Sequence, residues 1–123
     1  MAGMASKVKV PAGVDWGRVT GFQRRVFEAL LRVPAGRVTS YAALARAIGC
    51  ASPRAVGQAL RRNPFAPVVP CHRVVTAAGT LGGFNGATSG PELERKRRLL
   101  AAESVHFSRD GRLAEPVRLL AVF

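Results

Sequence analysis

Two consecutive helices are marked out in residues 40–63, which read SYAALARAIGCASPRAVGQALRRN. Ser40 or Thr39 is a suitable N-cap for the first helix, and Gly49 is its stop signal. Ser52 and the proline after it begin the second helix in the favoured order, a cap and then proline in the first turn. That helix ends at the Asn-Pro pair, because proline disfavours helical backbone in the residue before it.

Helices are also predicted on both sides of this segment. Thr20 and Gln23 have the spacing of a capping box, and apolar residues follow at helical intervals. The three N-terminal helices are short and closely connected, and the third is basic, which is the pattern of a helix-turn-helix. A last helix starts with Ser89 as its cap and runs to 102 or 103. Its leucines are predicted to face inward and its basic run, Arg95, Lys96, Arg97 and Arg98, mostly outward.

Residues 74–81 predict a short β-hairpin, or wing, with a glycine-containing turn. The fold class is therefore mainly α with a small β wing, a winged helix-turn-helix-like domain. We expect a single domain over residues 15–123, because a chain of 123 residues supports one core. Residues 1–14 are expected to form a flexible tail.

Positive charge is concentrated in one part of the chain. The formal net charge is +12, and no acidic residue lies between Ala29 and Pro91. That stretch contains Arg32, Arg37, Arg46, Arg54, Arg61, Arg62 and Arg73. The segregation predicts a polyanionic partner, because the guanidinium fork binds two phosphate oxygens. Charge alone does not distinguish DNA from RNA or from an acidic protein, and a basic surface that only maintains solubility is the alternative.

The helix that follows Ser52 has two faces when it is drawn at about 100° per residue. Val56 and Leu60 lie on one side, where they can pack. The opposite side carries the polar residues Arg54, Gln58, Arg61 and Arg62. The small residues Ala55 and Gly57 flank this stripe and would let a ligand approach closely. The alternative is an ordinary solvated helix face.

Cys71 lies in the run VPCHRVV, residues 69–75, where a thiol, an imidazole and a guanidinium follow one another. A base or a positive charge near a thiol favours the thiolate, which is the reactive form. Adjacent side chains on extended backbone point to opposite faces, so His72 would reach the sulfur only through a turn or a bridging water. The alternative is a small buried hydrophobic cysteine.

The remaining composition narrows the class of protein. Hydrophobic residues make up 48% of the chain, the longest apolar stretches are too short to span a bilayer, and the N-terminus lacks the apolar core of a signal peptide. Cys50 and Cys71 make no disulfide framework and favour a reducing, intracellular compartment. Their spacing to His72 and His106 matches no common zinc pattern, so we expect no metal site.

The order and spacing of several motifs resemble the C-terminal, DNA-binding domain of the O6-alkylguanine-DNA alkyltransferases. The resemblance covers about residues 20–103. Its motifs are Ser40-Tyr41, Arg54-Ala55-Val56-Gly57, Asn63-Pro64, Pro70-Cys71-His72-Arg73-Val74, Gly82-Gly83-Phe84 and Glu103. Each motif is short, but the combination is specific.

The resemblance implies direct DNA repair without a cofactor. The family flips an alkylated guanine out of the duplex and moves the alkyl group from O6 to a cysteine, once per molecule. By match, Cys71 is the acceptor and His72 takes its proton through a water. Glu103 orients His72, and Asn63 braces the active-site turn.

The same resemblance implies the contacts with DNA. Tyr41 would donate a hydrogen bond to the leaving guanine, and Arg54 would fill the space of the flipped base. The other implied DNA-binding residues are Ala55, Gly57, Gln58, Arg61, Arg62 and Arg73. The implied base pocket consists of Val74, Gly83, Phe84 and Asn85. The partner is double-stranded DNA that contains O6-alkylguanine.

Two other interpretations stay open. The single-domain layout resembles the alkyltransferase-like proteins, which bind alkylated DNA without repairing it, pass the lesion to nucleotide excision repair, and often carry Trp at the acceptor position. The other interpretation is a DNA-binding regulator or another winged-helix module. We expect a monomer that is not bound to a membrane. In a bacterium its expected location is the cytoplasm, in association with the nucleoid. In a eukaryote its expected location is the nucleus.

Overall fold

The structure is a computed structural model that describes residues 10–83 and 89–123. These residues form four α-helices: α1 Gly21–Leu30, α2 Tyr41–Ala47, α3 Pro53–Arg61 and α4 Pro91–Ala102. The strands β1 Val38–Ser40, β2 Val74–Val75 and β3 Leu119–Leu120 form a parallel sheet in the order β2-β1-β3. The predicted fold class, mainly helical with a small β part, is confirmed. Within the described ranges, no helix combines the length and apolar character needed to span a bilayer.

The caps of α1, α2 and α3 lie where the sequence predicts them. Thr20 and Gln23 form a complete capping box, with reciprocal bonds of 3.1 and 3.0 Å. Ser40 and Ser52 each accept a hydrogen bond from the backbone NH three residues later, both at 3.0 Å. Each bond satisfies an NH group that has no partner within its own helix, so the helix starts are determined locally.

The three N-terminal helices pack around one apolar core. Phe27 of α1, Leu44 of α2 and Val56 of α3 are completely buried in it. Burying a side chain of this size contributes about 1.5–3 kcal/mol, so the apolar face of α3 sets the orientation of that helix. The polar residues predicted for the opposite face, Arg54, Gln58, Arg61 and Arg62, are exposed.

The centre of the sheet is β1, a short segment between α1 and α2. Thr39 of β1 pairs with Val74 on one side and with Leu120 on the other. Its Oγ1 also donates to the carbonyl of Leu120 at 2.8 Å. All three residues of β1 are buried, so the strand shows no alternation of apolar and polar residues that could have revealed it.

The predicted wing is partly wrong. Val74–Val75 does not pair with residues 80–81 but with β1, in parallel. The turn itself is present, because the NH of Thr76 donates to the carbonyl of Thr80 at 3.0 Å and the two hydroxyls lie 2.6 Å apart. Thr80 then makes an antiparallel bridge with Arg112 from the C-terminal segment. The partners of both arms are distant in sequence, so local pattern could not identify them.

Two predictions for α4 are wrong. Ser89 is not the N-cap, since Gly90 occupies that position, and among the described residues no side-chain capping bond is present there. Lys96, predicted to face outward with its basic neighbours, is completely buried. The inward face of α4 therefore contains a cation beside Leu100, which is also fully buried.

The caps provide a test of these assignments. We expect Ser40→Ala and Ser52→Ala each to lower the free energy of unfolding by about 1 kcal/mol, because an NH group loses its acceptor. Ser89→Ala should change it by less than about 0.5 kcal/mol, since that side chain caps nothing. Urea unfolding followed by circular dichroism measures all three. A loss of about 1 kcal/mol in the Ser89 variant would contradict Gly90 as the N-cap.

Candidate active site

Cys71 follows a loop that an amide side chain holds closed. Asn63 Nδ2 donates to the carbonyl of Val69 at 2.9 Å, and its Oδ1 accepts from the NH of Phe65 at 2.9 Å. The two bonds join both ends of the loop to one side chain. They form the kind of brace that the resemblance implies for Asn63.

The backbone of Cys71–Arg73 forms one turn of 3₁₀ helix and not an extended run. The NH of Cys71 donates to the carbonyl of Val69 at 2.8 Å. About three residues complete a turn of 3₁₀ helix, so the three side chains leave the same short axis in different directions. A turn and a bridging water are the two ways in which His72 could reach the sulfur of Cys71, and the backbone here forms a turn.

The Cys71 side chain is almost entirely buried. The residue is 6% exposed and belongs to the same apolar cluster as Phe27 and Val56. Burial raises the pKa of the thiol, although the side chain of Asn63 and the charge of Lys96 act to lower it. The sulfur is therefore protonated at neutral pH, and it needs a base to become a nucleophile.

His72 is a neutral base in a buried position, with 3% exposure. Its Nε2 lies 3.1 Å from Oε2 of Glu103, and its Nδ1 has no hydrogen-bond partner among the described residues. Burial lowers the pKa of His72, even though the hydrogen bond and charge of Glu103 raise it. We therefore assign the proton to Nε2, which leaves Nδ1 as a free acceptor.

The carboxylate of Glu103 also binds Arg73. Arg73 Nε donates to Oε1 at 2.9 Å and Nη2 to Oε2 at 2.7 Å, while Nη1 donates to the carbonyl of Val33 at 2.8 Å. Burial raises the pKa of Glu103, but the hydrogen bonds from Arg73 and His72 outweigh it and lower the pKa. That Arg73 contacts DNA stays a prediction; in this structure its guanidinium binds Glu103 and the carbonyl of Val33, and its side chain is 17% exposed.

Glu103 reaches this cluster because α4 ends there. The NH of Glu103 donates to the carbonyl of Leu100 at 2.9 Å, and so does the NH of Val105. Ser104 lies between them with φ +67°, a left-handed conformation that ends the helix and turns the chain away. The carboxylate is thereby placed against the 3₁₀ turn of Cys71–Arg73.

Tyr41, at the start of α2, lies between two glycines. A Cβ on Gly57 of α3 would lie 3.9 Å from its ring, and one on Gly82 would lie 3.6 Å from its ring and its hydroxyl. Its Oη donates to the carbonyl of Gly83 at 3.4 Å, a long hydrogen bond. Burial raises the pKa of Tyr41, so the hydroxyl keeps its proton. Tyr41 thus connects α3 to residues 82–83.

The exposed face of α3 borders a shallow groove. The groove is lined mainly by Phe22 and Gln23 of α1, by Ala55 and Gln58 of α3, and by Arg62 directly after α3. No acidic residue occurs on α3 or on the segments next to it in sequence. Arg54, Gln58, Arg61 and Arg62 are exposed, so the exposed part of this helix and its C-terminal end is basic.

The predicted base pocket is described only in part. Phe84 and Asn85 lie outside the described residues. Val74 is completely buried in β2, so its side chain belongs to the core and not to an open pocket. The carbonyl of Gly83 lies at the site, where it accepts the hydrogen bond from Tyr41.

Lys96 is a site residue that the sequence analysis missed. Its Nζ donates to three backbone carbonyls at distances of 2.6 to 2.9 Å. A signal existed, because Lys96 follows Leu93 by three residues and precedes Leu100 by four, which places all three on one helix face. The run of basic residues around it concealed that spacing.

Cys50 is not part of the hydrogen-bonded group of His72, Arg73 and Glu103. Its Sγ accepts a weak hydrogen bond from the NH of Ser52 at 3.4 Å, just before α3. Both cysteines are free thiols. In the part of the chain that the structure describes, no three Cys, His, Asp or Glu side chains are grouped to hold a metal ion.

The chain is similar to known proteins over the region that contains the site. Residues 21–105 match the family model of the 6-O-methylguanine DNA methyltransferase, DNA binding domain. The methylated-DNA–protein-cysteine methyltransferase of Mycolicibacterium paratuberculosis is 48% identical over 90 residues, which are 72% of this chain and 52% of that protein. The chain spans about half the length of the first curated relatives it matches.

Two solved structures share this fold. The Mycobacterium tuberculosis OGT in complex with DNA superimposes with a TM-score of 0.64 and 46% identity, over 71% of this chain and 51% of that chain. S. pombe Atl1 in complex with damaged DNA containing O6-carboxymethylguanine gives a TM-score of 0.68 and 28% identity, over 80% and 94%. The similarity therefore extends to proteins solved on DNA.

The bonds of Arg73 predict a contribution to stability. We expect Arg73→Met to lower the free energy of unfolding by about 2 kcal/mol, because a partly buried carboxylate and a carbonyl lose charged donors. Arg112→Met is the control, since that side chain is 63% exposed and lies 3.8 Å from Asp110. It should cost less than about 1 kcal/mol in the same denaturant titration. Equal losses in the two variants would contradict a structural role for Arg73.

Proposed function

The chain belongs to the 6-O-methylguanine DNA methyltransferase family, and from this membership we propose that it repairs DNA by moving an alkyl group from O6 of guanine to Cys71. The observation that carries the proposal is the buried thiol next to His72, which is hydrogen-bonded to an ionised Glu103. The thioether product is stable, so each molecule acts once. No cofactor enters the reaction.

The proton and electron balance follows from the ionisation states of the site. Cys71 gives its proton through a water to the free Nδ1 of His72, and Glu103 stabilises the imidazolium through Nε2. The thiolate attacks the alkyl carbon, so an S–C bond forms as the C–O6 bond breaks. The electron pair of the broken bond passes to the guanine ring. One proton returns to the guanine, which balances the proton that left the thiol.

Tyr41 has the properties of a donor to the leaving guanine. Its raised pKa keeps the hydroxyl protonated, and the bond that it donates to the carbonyl of Gly83 is long and costs little to exchange. A hydrogen bond to the ring stabilises the negative charge that develops as the C–O6 bond breaks. Tyr41 lies between α3 and residues 82–83, which supports a donor located between the proposed DNA-binding helix and the proposed pocket.

We assign the DNA-binding surface to α3. Its exposed Arg54 would enter the duplex and occupy the space of the flipped base, which offsets part of the few kcal/mol that extrusion costs. Phosphate contacts from Arg61 and Arg62 would position the protein and make its affinity fall with salt. Ala55 and Gly57 let the helix approach the minor groove closely. The pocket, and not these contacts, would select the lesion.

The partner in this proposal is double-stranded DNA that contains O6-alkylguanine, bound by a monomer. The basic surface and the absence of acidic residues between Ala29 and Pro91 support a polyanionic partner. The proposed location is the compartment that contains the DNA. This is the cytoplasm, in association with the nucleoid, in a bacterium, and the nucleus in a eukaryote.

A second candidate function is a lesion sensor that binds O6-alkylguanine without repairing it and recruits nucleotide excision repair. Two observations favour it. The superposition on Atl1 has the higher TM-score of the two structures, 0.68 against 0.64. Burial of Cys71 also raises the pKa of its thiol, which slows any reaction that needs the thiolate.

Mass measurement separates the two functions. Incubation with duplex DNA containing O6-methylguanine is expected to add one methyl group to the tryptic peptide 63–73, in which Cys71 is the single cysteine. Cys71→Ser should bind the same DNA and gain no mass, because a neutral hydroxyl is a much weaker nucleophile than a thiolate. Tight, lesion-selective binding by the parent without a mass gain would support the sensor. Equal affinity for damaged and undamaged DNA, with a sequence preference, would support a regulator.

The acid limb of the pH profile tests the role of His72. Since burial lowers the pKa of His72, the imidazole stays neutral and able to accept a proton until the pH falls below about 6.5. The single-turnover rate of methyl transfer should therefore stay constant as the pH falls from 7 to about 6.5, and it should fall tenfold per unit only below the lowered pKa of His72, which lies under that ordinary value. Quenched-flow reactions between pH 5 and 8 measure it.

The other histidine of the chain provides the control for this profile. His106 is exposed and lies outside the cluster, so His106→Gln should leave the midpoint unchanged. A parent rate that already falls between pH 8 and pH 7, with a midpoint near neutral or above, would show that ionisation of another group limits the reaction and not protonation of His72.

A further inference from the structure

One oxygen of Glu103 is bound by two different nitrogen groups. Its Oε2 lies 2.7 Å from Nη2 of Arg73 and 3.1 Å from Nε2 of His72. The guanidinium and the imidazole are therefore held against the same atom. Little solvent reaches this group, since His72 is 3% exposed and the side chains of Arg73 and Glu103 are each 17% exposed. Salt and water screen charges in such a position much less than charges on an open surface.

The guanidinium of Arg73 is fixed on this carboxylate. Its Nε donates to Oε1 of Glu103 at 2.9 Å, and its Nη1 donates to the carbonyl of Val33 at 2.8 Å. Val33 is completely buried and lies shortly after α1. Three nitrogens of Arg73 are thus bonded to two parts of the fold that are distant in sequence. Because the guanidinium is a rigid planar fork, its two bonds to Glu103 also fix the orientation of the carboxylate.

This shared carboxylate has a chemical consequence for His72. A carboxylate beside an imidazole favours the protonated ring, because the two charges are opposite. The guanidinium opposes that effect, since it neutralises the carboxylate and repels a second positive charge. Burial lowers the pKa of His72, the hydrogen bond and charge of Glu103 raise it, and the charges of Arg73 and of Lys96 in α4 lower it further. Of these two cations, Arg73 is the one that binds the acceptor atom of His72.

We propose that Arg73 is a positioning residue for the alkyl transfer, which orients the Glu103 carboxylate toward His72 and shares its charge, so that the imidazole stays neutral and can accept a proton. A guanidinium does not lose its proton in proteins, so the influence of Arg73 is constant over the pH range in which His72 titrates. The part that concerns the transfer rests on the proposed function. The protonation of His72 does not, because it can be measured in the protein without DNA.

An arginine that only stabilises the fold would have a different signature. Its removal would lower the free energy of unfolding, and it would slow the transfer by the same factor at every pH. It would not move the midpoint at which His72 gains a proton. The decisive measurement is therefore the titration of His72, and unfolding experiments serve only to confirm that each variant is folded.

NMR spectroscopy resolves this titration, because the chain contains two histidines, His72 and His106. Imidazole proton–carbon spectra recorded between about pH 4 and 8 cover the range in which histidines titrate. The spectrum of His106→Gln retains one imidazole signal, which identifies His72 in the parent. The experiment uses the free protein, so a contact between Arg73 and DNA cannot influence its result.

Three variants are compared with the parent. Arg73→Met removes the charge and its donors, whereas Arg73→Lys keeps the charge beside Glu103. Arg112→Met is the control, because it also removes a positive charge that faces a carboxylate. The side chain of Arg112 is 63% exposed and lies 3.8 Å from Asp110, outside the site.

In Arg73→Met we expect the midpoint of His72 to rise by about one pH unit, because a neighbouring positive charge is lost while the carboxylate remains. Arg73→Lys should restore most of the parent value, and Arg112→Met should leave it unchanged. With saturating duplex DNA containing O6-methylguanine, the acid limb of the single-turnover rate should move by the same amount. Below both midpoints, Arg73→Met should then react about tenfold more slowly than the parent, and the difference should narrow toward pH 8.

Arg73→Gln, which keeps N–H donors without the charge, takes the place of Arg73→Met if that variant does not fold. A folded neutral variant in which the midpoint of His72 equals or lies below that of the parent overturns the proposal. A parent whose His72 titrates above about pH 7 also overturns it, since the imidazole would then be charged before the reaction. A parent that titrates as expected but never gains a methyl group overturns the proposed function and leaves the effect of Arg73 on His72 standing.

Discussion

The site depends on one carboxylate that several donors share. Glu103 accepts from His72 and twice from Arg73, and Arg73 extends the connection to the carbonyl of Val33 beyond α1. The end of α1, the 3₁₀ turn and the end of α4 are therefore held by one anion and its partners. No acidic residue occurs between Ala29 and Pro91, and the anion that His72 and Arg73 bind is supplied by Glu103, directly after α4.

A second constraint is the burial of the reacting groups. Burial raises the pKa of Cys71 and lowers the pKa of His72, so the pair stays as neutral thiol and neutral imidazole. This combination protects the sulfur from reaction with other electrophiles, and it keeps the base ready to accept a proton. Under the proposed function the acceptor is consumed by its own reaction, and such protection preserves it until the lesion is bound. Lys96 adds a positive charge to the same region without exposing the thiol.

Predictions from the sequence were correct where the interacting residues lie within about one helical turn, and they failed where the partners are distant in sequence. The caps at Thr20, Ser40 and Ser52 were predicted, because each depends on residues within one turn of its helix. The two faces of α3 followed from periodicity for the same reason. The internal bonds of Arg73 were missed and Lys96 was assigned to solvent, because a basic side chain in a basic segment gives no local sign of an internal partner. The motif resemblance identified Cys71, His72 and Glu103 as a group, but it did not indicate that Arg73 shares their carboxylate.

The sequence alone established where the helices begin and end, which face of α3 is polar, and which reactive groups the chain contains. These properties depend on contacts within a few residues, and such contacts are written in local spacing. The partners of β1, the inward position of Lys96 and the shared carboxylate became known only from the folded chain. Their partners lie far apart in sequence, and what joins them is the requirement that every buried charge and backbone group find a complement, which only the packed structure can satisfy.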